Sequence, residues 1–424
     1  MRYQSPKGTN DILPGERFGW QDTARWQAVE QAIGQICRHY NYQELRPVLF
    51  EVTDLFVRGI GEGTDVVSKE MFSVGHHGSF EFTLRPEITA GLVRAWVEHG
   101  FSSQPQPTKL WNIGPAFRAE NVQAGRFRQF YQWDVEVFGA PGPDIDAEVI
   151  YLGLDLAGRL GIHGLEVHIN SLGHPGCRAE YREALKAHFQ PHLKDLCPDC
   201  NARFERNPLR LLDCKVDAHH PAMQTAPMML DHLCPECAAH WQGLQAHLQA
   251  LGVTYSIDPR IVRGLDYYTR TVFEVIYPPL GAQSTVWGGG RYDGLIEELG
   301  GPSTPGIGFA LGIERLVLTL EKMGIALPAA PRLDLFIACL GEAARAEGLR
   351  QMYGLRAQGL AVDVDYLGRS FRKQMDFANK QKARYVAILG DDELARGEIS
   401  LKNMDSGEQQ SVPLAELKLS IEAK

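Results

Sequence analysis

A chain of 424 residues is too long to bury a single hydrophobic core, so two or three domains are expected. With 44% hydrophobic and 22% charged residues it reads as an ordinary soluble globular protein. No apolar run is long enough to span a bilayer, and the opening MRYQSPKGTNDILPGE lacks the apolar segment of a secretory signal, so a cytoplasmic location is expected. The net charge of -9 argues against a protein that coats nucleic acid non-specifically and leaves room for a local basic face.

Trp20 to Tyr40 carries Trp26, Val29, Ile33 and Ile36 at helical intervals, and Glu44 to Phe56 then reads as extended around Pro47. Lys109 to Phe117 and Phe127 to Phe138 read as the strands of a long antiparallel hairpin whose turn, Ala119 to Gly125, is polar. From residue 173 to 251 the texture changes to Leu, Ala and His-rich helical patterns, an insertion after which the strand-rich and Gly-rich character resumes. Ile307, Phe309 and Leu311 alternate as a strand does, and Leu316, Val317 and Leu320 follow helical spacing, which puts Arg315 in the first turn of a helix. The expected core therefore covers residues 1–326, interrupted by 173–251, and a stiff Pro-containing linker follows at 327–332. Residues 333–424 form the last expected domain. In it, strands at Leu333 to Leu340, Ala361 to Leu367 and Tyr385 to Leu389 alternate with helices at Glu342 to Gln358 and Phe371 to Gln381, the pattern of a small α/β domain with parallel strand pairs.

The run Arg263-Gly264-Leu265-Asp266-Tyr267-Tyr268-Thr269-Arg270-Thr271-Val272-Phe273 puts two guanidinium groups and two adjacent phenols on a stretch whose Tyr, Thr, Val and Phe content reads as a β-strand. In Gly288-Gly289-Gly290-Arg291-Tyr292-Asp293-Gly294-Leu295 side chains disappear, so backbone can approach a ligand closely. Together they point to an anionic substrate held beside a small polar one. Arg118, Arg126 and Arg128 flank the hairpin turn, and several forked cations converging on one sheet with Arg315 fit a triphosphate. No GxxxxGK[ST] loop is present, which argues against a P-loop nucleotide fold.

These residues converge on a family. Lys7 to Asp11, Leu84-Arg85-Pro86-Glu87, Phe117-Arg118-Ala119-Glu120, Gly125 to Gln132, the Arg263 to Phe273 run, Gly288 to Leu295 and Gly306 to Leu316 resemble histidyl-tRNA synthetase, a class II aminoacyl-tRNA synthetase, in order along the chain. The resemblance implies an α+β protein: a class II antiparallel-sheet catalytic core with a helical insertion, then a small α/β anticodon-binding domain. It also implies a homodimer that activates L-histidine with ATP and Mg2+ and transfers it to tRNA(His), with no membrane partner. A non-catalytic relative, the histidine-sensing regulatory subunit of ATP phosphoribosyltransferase, resembles the same core. It typically lacks the Arg263-type residue and the C-terminal domain.

Residue by residue, the resemblance puts Arg118 on the α-phosphate, Arg315 on the γ-phosphate, and Arg263 on both the histidine carboxylate and the α-phosphate. Arg263 and Arg118 are thereby the expected catalytic groups, since fixed cations offset the repulsion between an attacking carboxylate and a phosphate. Glu120, Arg126, Arg128, Tyr292 and Gly312 are the further ATP positions. Glu87, Thr89 and Gln132 match the groups that hold the α-amino group, with Ile88 between the first two and Arg118 beside them. Glu136 and Tyr268, or Tyr267, match the acceptor and donor that a neutral imidazole requires. Ile88 stands where a glycine is common, and Trp133-Asp134 are bulkier or more polar than in many relatives.

Eight cysteines include two matched pairs, Cys197-Pro-Asp-Cys200 and Cys234-Pro-Glu-Cys237. In a reducing compartment the pattern reads either as one structural four-cysteine zinc site in the insertion or as four free thiols. Arg369, Arg372, Lys373, Lys380, Lys382 and Arg384 make a basic stretch in the last domain. A bare charge run is a solvated helix face, but in the family this domain binds the tRNA anticodon. Arg369, Arg372 and Lys373 are its expected tRNA contacts. Gln123 in the hairpin turn resembles the position near the tRNA acceptor end.

Overall fold

Period-two patterning builds one large sheet in the first part of the chain and a smaller one in the last. The computed structural model describes residues 3–61, 64–123, 125–214, 216–262, 265–327 and 331–422. The chain divides into two units, Met1–Pro328 and Ala329–Lys424.

Eight strands of the first unit lie in the order Gln43–Glu44, Thr108–Phe117, Gln129–Phe138, Gly306–Gly312, Thr285–Arg291, Thr269–Ile276, Glu166–Ser171 and Ser256–Ile257. Pairing is antiparallel except at the two edges, where the short outer strands run parallel to their neighbours. Because successive side chains in a strand point to opposite faces, the sheet separates apolar from polar residues. Trp133, Val135 and Val137, with Ile307, Phe309 and Leu311, pack on one face. Against them lie Val29, Ile33 and Ile36 of the Thr23–His39 helix and Val149, Ile150 and Leu152 of the Pro143–Arg159 helix. The first of these helices starts where Asp22 accepts a hydrogen bond from the Ala24 amide at 3.3 Å. The opposite face of the same strands presents Phe130, Gln132, Asp134, Glu136, Gly308, Ala310 and Gly312.

Three local departures from the sequence expectation have simple causes. The extended run after Glu44 stops at Val52, and Thr53–Ile60 is helical with Phe56 and Ile60 buried on one side. The strand expected from Arg263 starts only at Thr269. Arg270, at its mouth, has φ 47° and is clamped on both sides, its amide to Gly173 O and its carbonyl to Leu172 N, each at 2.7 Å. A separate three-stranded sheet in the order Phe50–Val52, Phe80–Leu84, Phe72–His77 was not foreseen from the sequence. Between Ser171 and Ser256 the described residues contain no strand; helices Pro175–Phe189, Pro198–Arg206, Pro221–Gln224 and Pro235–Ala250 are joined by single turns.

The second unit has a five-stranded sheet in the order Val362–Val364, Leu335–Cys339, Tyr385–Leu389, Glu398–Asn403, Gln409–Pro413. The first three are parallel and the last two antiparallel. The sequence reading missed the closing hairpin because Gln409–Pro413 buries only Val412 and is otherwise polar. No helix among the described residues is long and apolar enough to cross a membrane.

Candidate active site

The polar face of the large sheet floors a cleft with two chemically different ends. At one end three guanidinium groups converge. Arg118, just past the Thr108–Phe117 strand, donates Nε to the Pro86 carbonyl at 2.8 Å and lies over the Phe130 ring, 5.4 Å from its centroid. Arg126 binds the Glu120 carboxylate through Nε, with Glu70 at 3.6 Å from Nη2. Arg315, in the first turn of the Ile313–Lys322 helix, donates Nε to Gly125 O at 3.2 Å and Nη1 to Thr285 O at 2.6 Å. Burial, then the positive charges of Arg118 and Arg126, pull Arg315 down to about 10. Cations that destabilise one another in this way mark a place where an anion gains affinity.

The other end is rich in acceptors. Glu87 Oε1 accepts from the Ala90 amide at 2.9 Å at the start of the Thr89–Glu98 helix. Glu136 accepts from Thr89 Oγ1 at 2.7 Å and from the Tyr292 hydroxyl. Both Asp134 carboxylate oxygens and Gln132 Oε1 are buried without a hydrogen-bond partner among the described residues. Burial raises Glu87, raises Asp134 strongly and lifts Glu136 to about 8. Buried carboxyl groups held this high regain their charge when a cation arrives to pair with them. Three phenols wall the pocket: the Tyr267 and Tyr268 ring centroids are 4.7 Å apart, and Tyr267 and Tyr292 are 5.6 Å apart. Gly308 makes room for the acceptor, since a Cβ there would sit 1.8 Å from Glu136 Oε2. A site that offers buried acceptors and phenols a short distance from three guanidiniums suits a small cationic, nitrogen-bearing molecule placed against a polyphosphate.

Of the residues predicted from sequence, Glu87, Thr89, Arg118, Glu120, Arg126, Gln132, Glu136, Tyr267, Tyr268, Tyr292, Gly312 and Arg315 all line this cleft. Arg263 lies outside the described residues. Ile88 is fully buried beneath the wall, and Arg128 turns its Nε to Glu120 O at 3.2 Å. Tyr292, assigned from sequence to ATP, reaches Glu136 at the acceptor end instead. Gln123 is exposed in the hairpin turn. The sequence reading missed Phe130, Asp134, Glu274, Thr285 and Glu314 as lining residues. For Phe130 and Asp134 the signal was present, since both share the parity of Gln132 and Glu136 on one strand. Glu314 accepts from the Tyr131 amide with both oxygens at 3.0 Å, and burial pushes it up to about 8.

In the second unit the basic stretch is not one surface. Arg369 pairs with Asp365 at 2.6 Å and Arg384 with Asp334 at 3.3 Å. Arg372, Lys373 and Lys380 are exposed on the Phe371–Lys380 helix, whose Gln374 and Ala378 are buried.

The four-cysteine site is corrected by the structure. Cys197 and Cys200 cluster with Cys214 and Asp217, whereas Cys234 and Cys237 cluster with His174 and Cys177. The two pairs open different helices, so each meets its own partners rather than the other pair.

Comparison with known proteins accords with this geometry. The sequence model described as histidyl-tRNA synthetase matches residues 8–316, and that of an anticodon binding domain matches 334–424. The chain is 59% identical over 423 residues to the histidine–tRNA ligase of Symbiobacterium thermophilum, covering 98% of each. It is 51% identical over 419 residues to that of Desulforamulus reducens, covering 99% of each. The crystal structure of apo S. aureus histidyl-tRNA synthetase superposes with a TM-score of 0.83 at 39% identity, across 100% of this chain and 99% of that one. The chain belongs to the histidyl-tRNA synthetase family.

Proposed function

We propose that the cleft is the activation centre of a histidine–tRNA ligase, in which L-histidine and Mg2+-bound ATP form histidyl-adenylate and pyrophosphate before the histidyl group passes to tRNA. The single observation that carries this reading is the apposition of an acceptor-lined pocket to three converging guanidiniums on one sheet face. The α-ammonium of histidine finds acceptors in Glu87, Gln132 and Asp134. Its imidazole meets Glu136 and the tyrosine pair. The carboxylate then faces Arg118, whose Nε is fixed by the Pro86 carbonyl while its Nη1 stands 3.8 Å from the Glu120 carboxylate.

No general base is needed, because the attacking carboxylate is already ionised at neutral pH. The barrier comes from like-charge repulsion and from charge that builds on the phosphate, and fixed cations lower both. Arg118 serves the α-phosphate, with Arg263 assigned beside it, and Arg315 and Arg126 hold the outer phosphates. Mg2+ would enter as part of the nucleotide substrate, and Glu120 and Glu274, which line the same cleft, are the carboxylates that could hold it and help offset the phosphate charge. Specificity follows from burial: an analogue without the ring nitrogens forgoes the bonds to Glu136 and a phenol that offset the cost of entering a buried polar site. The anticodon-binding match and the full-length identity favour the ligase over the histidine-sensing regulatory subunit. A homodimer, a cytoplasmic location and tRNA contacts through Arg372 and Lys373 belong to the same reading.

The test is ATP–pyrophosphate exchange measured with each amino acid in turn. Stimulation by histidine alone is expected; stimulation by another amino acid, or by none, would overturn the assignment.

A further inference from the structure

The insertion carries three copies of one local device. His174-Pro-Gly-Cys177, Cys197-Pro-Asp-Cys200 and Cys234-Pro-Glu-Cys237 each open a helix with the first residue as N-cap and proline in the first turn. In each, the capping side chain accepts the backbone N–H of the cysteine three residues on, at 3.1, 3.4 and 3.5 Å respectively. A fourth pair repeats the spacing without the proline: Cys214 Sγ accepts from the Asp217 amide at 3.4 Å. The four pairs assemble two by two. His174 and Cys177 meet Cys234 and Cys237, and Cys197 and Cys200 meet Cys214 and Asp217, with the ligand atoms of each set all within 4.8 Å of one another.

The spacings match a tetrahedron around one ion. Metal–sulfur bonds of about 2.3 Å and metal–nitrogen or metal–oxygen bonds of about 2.0–2.1 Å separate neighbouring ligand atoms by roughly 3.5–3.8 Å. Cys197 and Cys214 sulfurs are 3.7 Å apart, Cys214 Sγ is 3.7 Å from Asp217 Oδ2, and Cys234 Sγ is 3.7 Å from His174 Nε2. Cys177, Cys200, Cys214 and Cys237 are buried, while the other member of each pair is half-buried. Backbone amides are aimed at the sulfurs, as the outer donors of a metal site are: Cys177 Sγ accepts from the Cys234 amide at 3.3 Å, in addition to the bonds above. Hydrophobic packing alone gives no reason for a histidine and an aspartate to complete two separate cysteine clusters.

We propose that the insertion binds two structural zinc ions, one held by His174, Cys177, Cys234 and Cys237 and the other by Cys197, Cys200, Cys214 and Asp217. The sulfur-rich tetrahedral sets favour zinc over the oxygen-seeking cations, and four protein ligands leave no open position for chemistry. The two sites are nested in sequence. The outer ion clips together the beginning and end of the insertion, and the inner one closes a loop within it. The outer ion also stands next to the histidine pocket. Arg178, on the helix opened by His174, donates Nη1 to Tyr268 O at 3.1 Å. Glu236, inside the third knuckle, binds Arg270 at the mouth of the strand that follows Tyr268. The inner site's link is of another kind: Asn207, at the end of the helix that Cys197 opens, donates Nδ2 to Asp266 Oδ1 at 3.1 Å, and the site's hard carboxylate ligand makes it the more readily emptied of the two.

The full chain purified without added metal tests this by elemental analysis, with about two equivalents of zinc per chain expected. Asp217→Asn with Cys214→Ser is expected to lose one equivalent and keep histidine activation. His174→Gln is expected to lose the other and raise the histidine KM by ~10-fold, as for loss of an outer support of a binding group. If those variants do not fold, stepwise extraction of the unaltered chain with a chelator should release zinc in two phases, and cobalt in its place should give the intense thiolate-to-cobalt absorption of a tetrahedral sulfur site. One equivalent or none, iron in place of zinc, or a Cys197–Cys214 disulfide without metal would each overturn the proposal.

Discussion

The arginines of the cleft and those of the C-terminal unit put one side chain to opposite electrostatic uses. In the cleft, Arg118 and Arg315 are anchored through the carbonyls of Pro86, Gly125 and Thr285. These carbonyl acceptors fix the direction of each fork; Arg118 also stands 3.8 Å from the Glu120 carboxylate, and burial strengthens the action of the cations on a ligand. In the C-terminal unit Arg369, Arg384 and Arg332 each meet a carboxylate, on Asp365, Asp334 and Asp405. Arg372 and Lys373, with Lys380 on the same helix, are exposed to water, a charge that attracts at a distance and is screened by salt. Density of basic residues in the sequence therefore says little about where cationic work is done. The anchor decides it.

Breaking the cleft side of the comparison should have the largest effect. Arg118→Ala should slow adenylate formation at saturating histidine by ~10² to 10³-fold, as for removal of a preorganised transition-state donor, with a smaller loss of histidine affinity from the lost carboxylate contact. Single-turnover measurement of adenylate would show this, and a rate within a few-fold of the parent would mean that the carbonyl-anchored cation is not the one the reaction uses.

Glu136→Gln comes next, lowering kcat/KM for histidine by ~10²-fold because the imidazole loses its charged acceptor in a buried site. It also carries a pH signature. Burial holds Glu136 at about 8 against an ordinary value of 4.5. The protonated form thus stabilises the ligand-free fold fully below the ordinary value, and that contribution is lost as pH rises through about 8. The parent should lose Tm more steeply than Glu136→Gln across this window, and parallel curves would refute a protonated carboxyl.

The smallest effects belong to the C-terminal unit and divide it. Arg372→Ala with Lys373→Ala should raise the KM for tRNA several-fold and flatten its salt dependence by about one to two units of slope, leaving ATP–pyrophosphate exchange unchanged. Arg369→Ala, whose charge already faces Asp365, should change tRNA KM by less than about two-fold. Equal losses from the exposed pair and from Arg369 would erase the distinction drawn above.

Much of the site was readable as local pattern. Glu87, Thr89, Arg118, Gln132, Glu136 and Arg315 sit in short motifs that fold within a hairpin or a strand–helix joint, so their spacing survives into the structure. Asp134 was readable too, from strand parity, but a carboxylate between Trp133 and Val135 looked like a departure rather than part of the floor. The cysteines show the other case. His174-Pro-Gly-Cys177 repeats the x-Pro-x-Cys pattern of the two obvious pairs, yet no local rule says which knuckle meets which. The outer and inner knuckles pair across segments of unequal length, and helix packing selects the partners.

Strand and helix periodicity, the family's motifs and their order were dictated by the chain alone, because each depends on neighbours a few residues away. The charge states of the carboxyl groups and the convergence of the cations were settled only by folding. Glu136 is raised by burial against the lowering effect of the bonds from Tyr292 and Thr89, and Arg315 is lowered by burial and then by Arg118 and Arg126, groups far away in sequence. Desolvation and Coulomb repulsion act through space, so they exist only once the sheet has brought those side chains together.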